Sequence, residues 1–326
     1  MKPYLRTPLN LDEQPSRYNH RSHRDREVIE RAILRTLAYA DIFDFPLTDN
    51  EIHRYLAGVS APLSAVQSVL DDRQFRTKHL GAVDGCFTLP GRQVLVETRR
   101  QRSLLAASLW PKAIHYGRKM AGLPFVRMVA ITGALAVDNV EYGADLDYLI
   151  ITEAGRLWLC RAVVILLVRW AALKGDRVCP NYFLSDRALV YPHRNWYSAH
   201  EMTQMVPIAG LETYGRIRRL NRWTQDFLPN AAGPPEQRFT STRDPAKTAP
   251  RRLAEAVLRT APAGWLERWE MGRKVQKFST QSQAAAEASF CADWCKGHFD
   301  QHEGRTIAAY TSRLKALGIE DRNRHE

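Results

Sequence analysis

The chain has 326 residues, 45% hydrophobic and 25% charged, which gives it room for two or three globular domains and excludes a low-complexity or fibrous protein. Lys and Arg number 47 against 35 Asp and Glu, and the formal charge of +12 favours polyanionic partners without choosing among nucleotides, nucleic acid and anionic surfaces. Five scattered cysteines (Cys86, Cys160, Cys179, Cys291, Cys295) and a polar N-terminus without an apolar signal core argue against a secreted disulfide scaffold and point to a reducing cytoplasm.

Residues 1–24 are polar and without periodicity and read as a flexible tail. From Val28, apolar residues Ile29, Ala32, Ile33, Leu37 and Ala40 recur at helical spacing. Thr48 and Glu51 form a capping box that opens a second helix, and Ser64 opens a third, LSAVQSVLDDRQFR, with Val66, Val69 and Leu70 inward. A hairpin centred on Asp84-Gly85 follows. Three helices and a hairpin predict a winged-helix domain over residues 25–100.

The next region, 101–228, predicts a helix over SLLAASLWPKAIHYGRKMAGL, a buried strand FVRMVAIT, and a second strand DLDYLIIT. The segment from Gly155 to Lys174 is apolar almost all round, which predicts a helix sandwiched between layers. It is too short to span a membrane and contains Arg161 and Arg169, so no membrane span is expected. CPNYFLS reads as a third strand and the stretch after His200 as helix, giving a sheet with packed helices. Residues 229–250 hold five prolines and read as a linker, and 251–326 read as a helical C-terminal region.

The chemistry concentrates in VAITGALAVDNVEYGADLDYLIIT. A strand ends at Gly133, and after a spacer a second strand opens with Asp145-Leu146-Asp147. Side chains at i and i+2 of a strand point the same way, so Asp145 and Asp147 converge while Leu146 faces the core. Two adjacent carboxylates repel each other and suit a hard cation such as Mg2+, which prefers a few carboxylates together with phosphate oxygens. Gly133 permits close approach of backbone to a phosphate.

This pattern resembles the nucleotidyltransferase superfamily built on the DNA polymerase β-like fold, and the order of elements extends the resemblance to about residues 105–190. The resemblance implies an α/β (α+β) fold: a small mixed sheet with packed helices, here preceded by a winged helix and followed by a helical region. It implies that Asp145 and Asp147 bind magnesium ions, that Gly133 and Ala134 form the phosphate-binding turn, and that the donor is a nucleoside triphosphate, expected to be ATP on abundance alone. Two positions depart from the family pattern. Ala134 stands where a Ser or Gly is usual, and CPNYFLS offers Asn181 where a third carboxylate is usual, leaving Asp186 just past its end as the candidate. The expected reaction moves a nucleoside monophosphate to a hydroxyl or amine of an acceptor (a small molecule, an RNA or a protein) that no motif identifies. The rival expectation is a catalytically weak, nucleotide-sensing regulator whose winged helix binds DNA or a protein.

Other signals carry less. Cys291, Cys295, His298 and His302 have a zinc-like spacing, but on one helix the outer two would lie about 16 Å apart, and a packed helix face is the simpler expectation. Asp71 and Asp72 would repel DNA phosphate from the third helix, so DNA is the weaker partner. Arg99, Arg100 and Arg102 read as a solvated charge run, and Trp265 and Trp269 as core.

Overall fold

The computed structural model describes residues 15–235, 248–282, 289–296 and 302–319. The chain opens with α1 (Pro15–Asp41), so helix begins inside the segment expected to be a tail. It continues through β1 (Leu47–Thr48), α2 (Asp49–Arg54), α3 (Leu63–Leu70), α4 (Arg73–His79), β2 (Gly81–Val83) and β3 (Cys86–Thr88). Thr48 and Glu51 close the capping box on α2 in both directions. The expected third helix is broken in two, because the Asp72 carboxylate turns back to accept from the Phe75 N–H and caps α4. Asp72 also pairs with Arg26 at 2.7 Å, so it serves the fold and is not a free charge facing DNA. Strands β2 and β3 form the expected hairpin, and β1 adds to it as a third strand.

The larger body comprises α5 (Leu95–Ala121), β4 (Val126–Ile131), α6 (Gly133–Ala136), β5 (Leu146–Thr152), α7 (Leu157–Ala172) and β6 (Val178–Ser185). It goes on through α8 (Trp196–Gln204), β7 (Val206–Ala209), α9 (Leu211–Leu220), α10 (Thr224–Phe227), α11 (Ala249–Leu258), α12 (Ala261–Ser282), β8 (Ser289–Phe290), β9 (Trp294–Lys296) and α13 (His302–Ala316). Six strands form one mixed sheet in the order β7-β4-β5-β6-β9-β8, in which β5 and β6 run parallel and the other neighbours antiparallel. The alternation of side chains across the sheet sorts the core. Val129, Ile131, Tyr148, Ile150 and Phe183 face α5 and α7, while Met128, Ala130, Leu149, Ile151, Tyr182 and Leu184 face α8, α9 and α13.

Several sequence expectations change here. The stretch after His200 is interrupted by edge strand β7, where Pro207 is tolerated because an edge strand need not donate on both sides. Gly210 then turns the chain with φ +82, and a Cβ there would lie 2.1 Å from the Arg127 carbonyl oxygen, so only glycine fits. The C-terminal region is woven into the main body, since β9 pairs with β6 and α13 packs against α1 and α8. Cys291 and Cys295 lie in the β8–β9 hairpin and not on a helix, while His298 falls outside the described residues. Trp265 and Trp269 are exposed rather than core, and α7 leaves one apolar face, including Leu166, in the open.

Ion pairs stitch the N-terminal helices to the main body. Arg99 is nearly buried and grips both oxygens of Glu51 at 2.7 and 2.9 Å. Arg102 donates to the Phe43 carbonyl and to Asn139 and pairs with Glu141. Asp41 at the end of α1 receives Arg92 on one oxygen and Arg313 of α13 on the other. Arg99 and Arg102 are therefore structural, and only Arg100, paired with Glu97, keeps the expected solvated character. Replacing one member of a nearly buried pair strands its partner. Arg99→Ala is expected to lower stability by about 3 kcal/mol, read as a shift in the urea unfolding midpoint at unchanged slope.

Candidate active site

Strand β4 ends at Ile131, Thr132 stands at the N-cap of the single-turn helix α6, and Gly133 opens that helix with φ +64. The turn folds back over β5, whose Asp147 carbonyl accepts from the Thr132 N–H at 3.0 Å. A Cβ on Gly133 would stand 2.5 Å from Asp147 Oδ2. Glycine is thus required twice, once for its left-handed backbone and once because only hydrogen fits beside the carboxylate.

Asp147, Gly133 and Ala134 lie on the wall of a cavity of about 1290 Å³, large enough for a nucleotide with an acceptor. Asn181 of β6 also lines it and donates to Asp147 Oδ1 at 2.6 Å. Its own Oδ1 accepts from the Cys179 thiol at 2.8 Å, which fixes the amide so that NH2 faces the acid. Burial pushes the Asp147 carboxyl up to about 7, against the Asn181 hydrogen bond, and the nearby Glu201 and Asp145 charges add to the rise. The same burial, with Asp147 and Asp145 close by, pushes the Cys179 thiol up to about 12.

Asp145 stands next to this site but is engaged by Arg177, with Nε at 2.6 Å from Oδ1. Arg177 is two-thirds exposed and also donates to the Gly143 carbonyl, so the pair forms a latch at the cavity's edge. Asp186 is not brought to the other two acids. Its backbone N–H donates to Thr152 and its side chain accepts from the Ala154 N–H, at the far end of β5. Thr152 lies five residue steps along the strand from Asp147, roughly 17 Å at about 3.3 Å per residue.

Of the other acids lining the cavity, Asp44, Glu51 and Glu141 are paired with arginines and Asp138 accepts from Trp110, which leaves Glu201 on α8 as the additional candidate. Burial raises its carboxyl to about 7, with Glu303 adding and Lys296 opposing. No motif marks this residue. Its only signal in the sequence is an acid in a helix whose neighbours Trp196, Ala199, His200 and Met202 are all buried. His200 beside it is stacked on Tyr39 at 3.6 Å, and its Nδ1–H donates to the Trp196 carbonyl at 2.8 Å. Burial lowers it to about 4, so it stays neutral at pH 7.

The N-terminal helices close the other side of the cavity with Tyr39, Phe43, Phe45, Asn50, His53 and Arg54. Arg54 is held by the Ala232 and Gly233 carbonyls. Arg218 of α9 likewise donates to the Met202 and Ala231 carbonyls and is structural.

The donor set suits a hard cation. Asp147 is a half-buried acid whose hydrogen-bond partner is a neutral amide, and Asp145 is its neighbour two residues back along the chain. Among the described residues no group of three His, Cys, Asp or Glu stands ready to hold a metal, so phosphate oxygens would have to complete the coordination of any magnesium ion bound here. Family models, curated proteins and solved structures yield no match to this chain.

The raised Asp147 carboxyl has a consequence for stability. The folded state binds that proton more tightly than the unfolded chain, so its contribution is greatest at low pH. It declines as pH rises from the ordinary carboxyl value near 3.8 toward about 7 and is flat above. Measured by thermal melts without metal, Asp147→Asn should gain stability relative to the parent across that window and hold the gain to pH 8. A gap that does not change with pH would contradict the assigned burial of this acid.

Proposed function

We propose that the chain is a magnesium-dependent nucleotidyltransferase with a polymerase β-like core, moving a nucleoside monophosphate from a nucleoside triphosphate, ATP foremost, to a hydroxyl or amine acceptor. The observation that carries this reading is the contact between Gly133 and Asp147 at the floor of a nucleotide-sized cavity. A strand, a glycine turn and an Asp-x-Asp strand are folded so that one carboxylate and the turn's backbone meet at the same point. That is the arrangement a metal-bound triphosphate needs.

In this reading Asp145 and Asp147 hold magnesium, and Gly133 and Ala134 offer backbone N–H groups to phosphate. When bound, the metal supplies charge neutralisation on the triphosphate oxygens. The acceptor's oxygen or nitrogen bonds to the α-phosphorus while the bond from that phosphorus to the bridging oxygen breaks, releasing pyrophosphate. The acceptor's proton passes to Glu201, whose carboxyl near neutrality suits a general base. Asn181 cannot take that proton and instead orients Asp147. Arg177 occupies only Oδ1 of Asp145, so Oδ2 would be the oxygen left to hold magnesium.

The regulator reading has less support. The face of the N-terminal helices that carries Tyr39, Phe43 and His53 is spent on the cavity wall, and the third helix is broken by the Asp72 cap. The N-terminal unit therefore reads as a wall of the substrate site.

Few cations line the cavity, so affinity for a triphosphate should depend on magnesium almost completely. Calorimetry with the four nucleoside triphosphates is expected to show micromolar binding of at least one with magnesium, and none with chelator. Gly133→Ala should lose that binding at least tenfold, at a stability cost of about 1–2 kcal/mol for a left-handed non-glycine residue. No binding to any triphosphate, at protein concentrations well above micromolar, would overturn the reading.

A further inference from the structure

The helices over one face of the large sheet leave an apolar surface uncovered, and its composition is unusual. Along α7, Val163, Leu166, Trp170 and Leu173 recur at helical spacing on the side away from the core. Leu166 and Leu173 are 61% and 87% exposed. The opposite face of the same helix, with Leu157, Trp158, Cys160 and Val164, already fills the core, so this second stripe is not needed for folding.

The charges around the stripe are mostly basic. Lys119 of α5 lies 5.0 Å and Lys174 lies 3.9 Å from the Trp170 ring centroid, and Arg118 and Arg169 are exposed on the same two helices. No Asp or Glu occurs from residue 98 to 137 or from 154 to 175, the segments that build nearly all of both helices. The acid nearest in sequence, Asp176, is taken by Lys112 and Tyr116. The neighbouring helix α12 packs on α7 and carries a second aromatic cluster, with exposed Trp265 stacked on Trp269 and Arg273, itself paired with Glu270, 5.2 Å over the latter ring.

We propose that this face docks on an anionic phospholipid membrane surface. Apolar side chains and tryptophan at the centre, with lysines flanking the indole, match the layered chemistry of a lipid interface: hydrocarbon below, phosphate at the level of the ring and the cations. A second copy of the chain would bring two faces with the same excess of cations against each other. Nucleic acid would satisfy the cations but leave leucines and valine against phosphate and water. The contact proposed is a peripheral one, and no described helix is long and apolar enough to cross a membrane. It is independent of what the cavity does.

The test is cosedimentation of the full chain with vesicles of phosphatidylcholine alone or mixed equally with phosphatidylserine, at low and high salt. The chain should partition onto the anionic vesicles at least tenfold more strongly than onto neutral ones, and less as salt rises. Lys119→Ala and Lys174→Ala should each weaken partition about fivefold. Leu166→Glu/Leu173→Glu should abolish it while thermal melts stay unchanged, because both side chains are already in solvent. Failure to bind anionic vesicles at low salt would overturn the proposal. So would self-association in sedimentation, or tighter binding to a duplex oligonucleotide than to vesicles, if lost on the same leucine substitutions.

Discussion

The contact between Gly133 and Asp147 sets the geometry on which the rest of the candidate site depends. Strand β4 must end, turn left-handed and lie back over β5 closely enough that a methyl group would strike the carboxylate. That closeness buries Asp147, and burial in turn makes its negative charge costly without a cation. Asn181 answers the charge with a neutral hydrogen bond only. A fold optimised for stability alone would place a hydrophobic residue there. The cost is understandable if a divalent cation and a phosphate chain complete the electrostatics.

Around that point the cavity is assembled from distant parts of the chain. The N-terminal helices supply one wall, the sheet and its turn the floor, α8 the acid Glu201, and α13 the buttress behind α1. Asp41 is a junction, receiving one arginine from the segment after the hairpin and another from the C-terminal helix. Arg99 and Arg102 lock α5 onto the N-terminal unit and the loop before β5. These pairs are partly buried and well aligned, so they fix the wall's orientation more firmly than surface pairs would.

What was legible in the sequence was what local rules encode. Period-two and period-3.6 patterns placed β4, β5, β6 and the first helices, the Thr48–Glu51 spacing located a real cap, and the glycine-to-Asp-x-Asp spacing located the floor of the cavity. What was not legible depended on contacts between segments far apart. Asp72 breaks a helix because its carboxylate finds the Phe75 N–H, which a continuous apolar stripe hides. Strand β7 is set by pairing with β4 and Gly210 by the nearby Arg127 carbonyl, neither visible in a stretch rich in helix formers. Glu201 was missed because α8 meets β5 only through the tertiary fold. Asp186 was misplaced because the end of β6 at which a residue lies decides whether it faces the cavity, and sequence adjacency to a strand does not say so. The tryptophans of α12 and the open stripe of α7 show the same limit, since an apolar residue at helical spacing states a preference for burial and not a partner.

The central claim is that Asp145 and Asp147 together hold a divalent cation against a triphosphate. Crystals of the full chain grown with manganese and a non-hydrolysable ATP analogue, measured at a wavelength where manganese scatters anomalously, test it most directly. The claim predicts an anomalous peak bonded to an oxygen of each aspartate and to phosphate oxygens. A bound nucleotide with no metal at these carboxylates, or a metal seated elsewhere in the cavity, would contradict it.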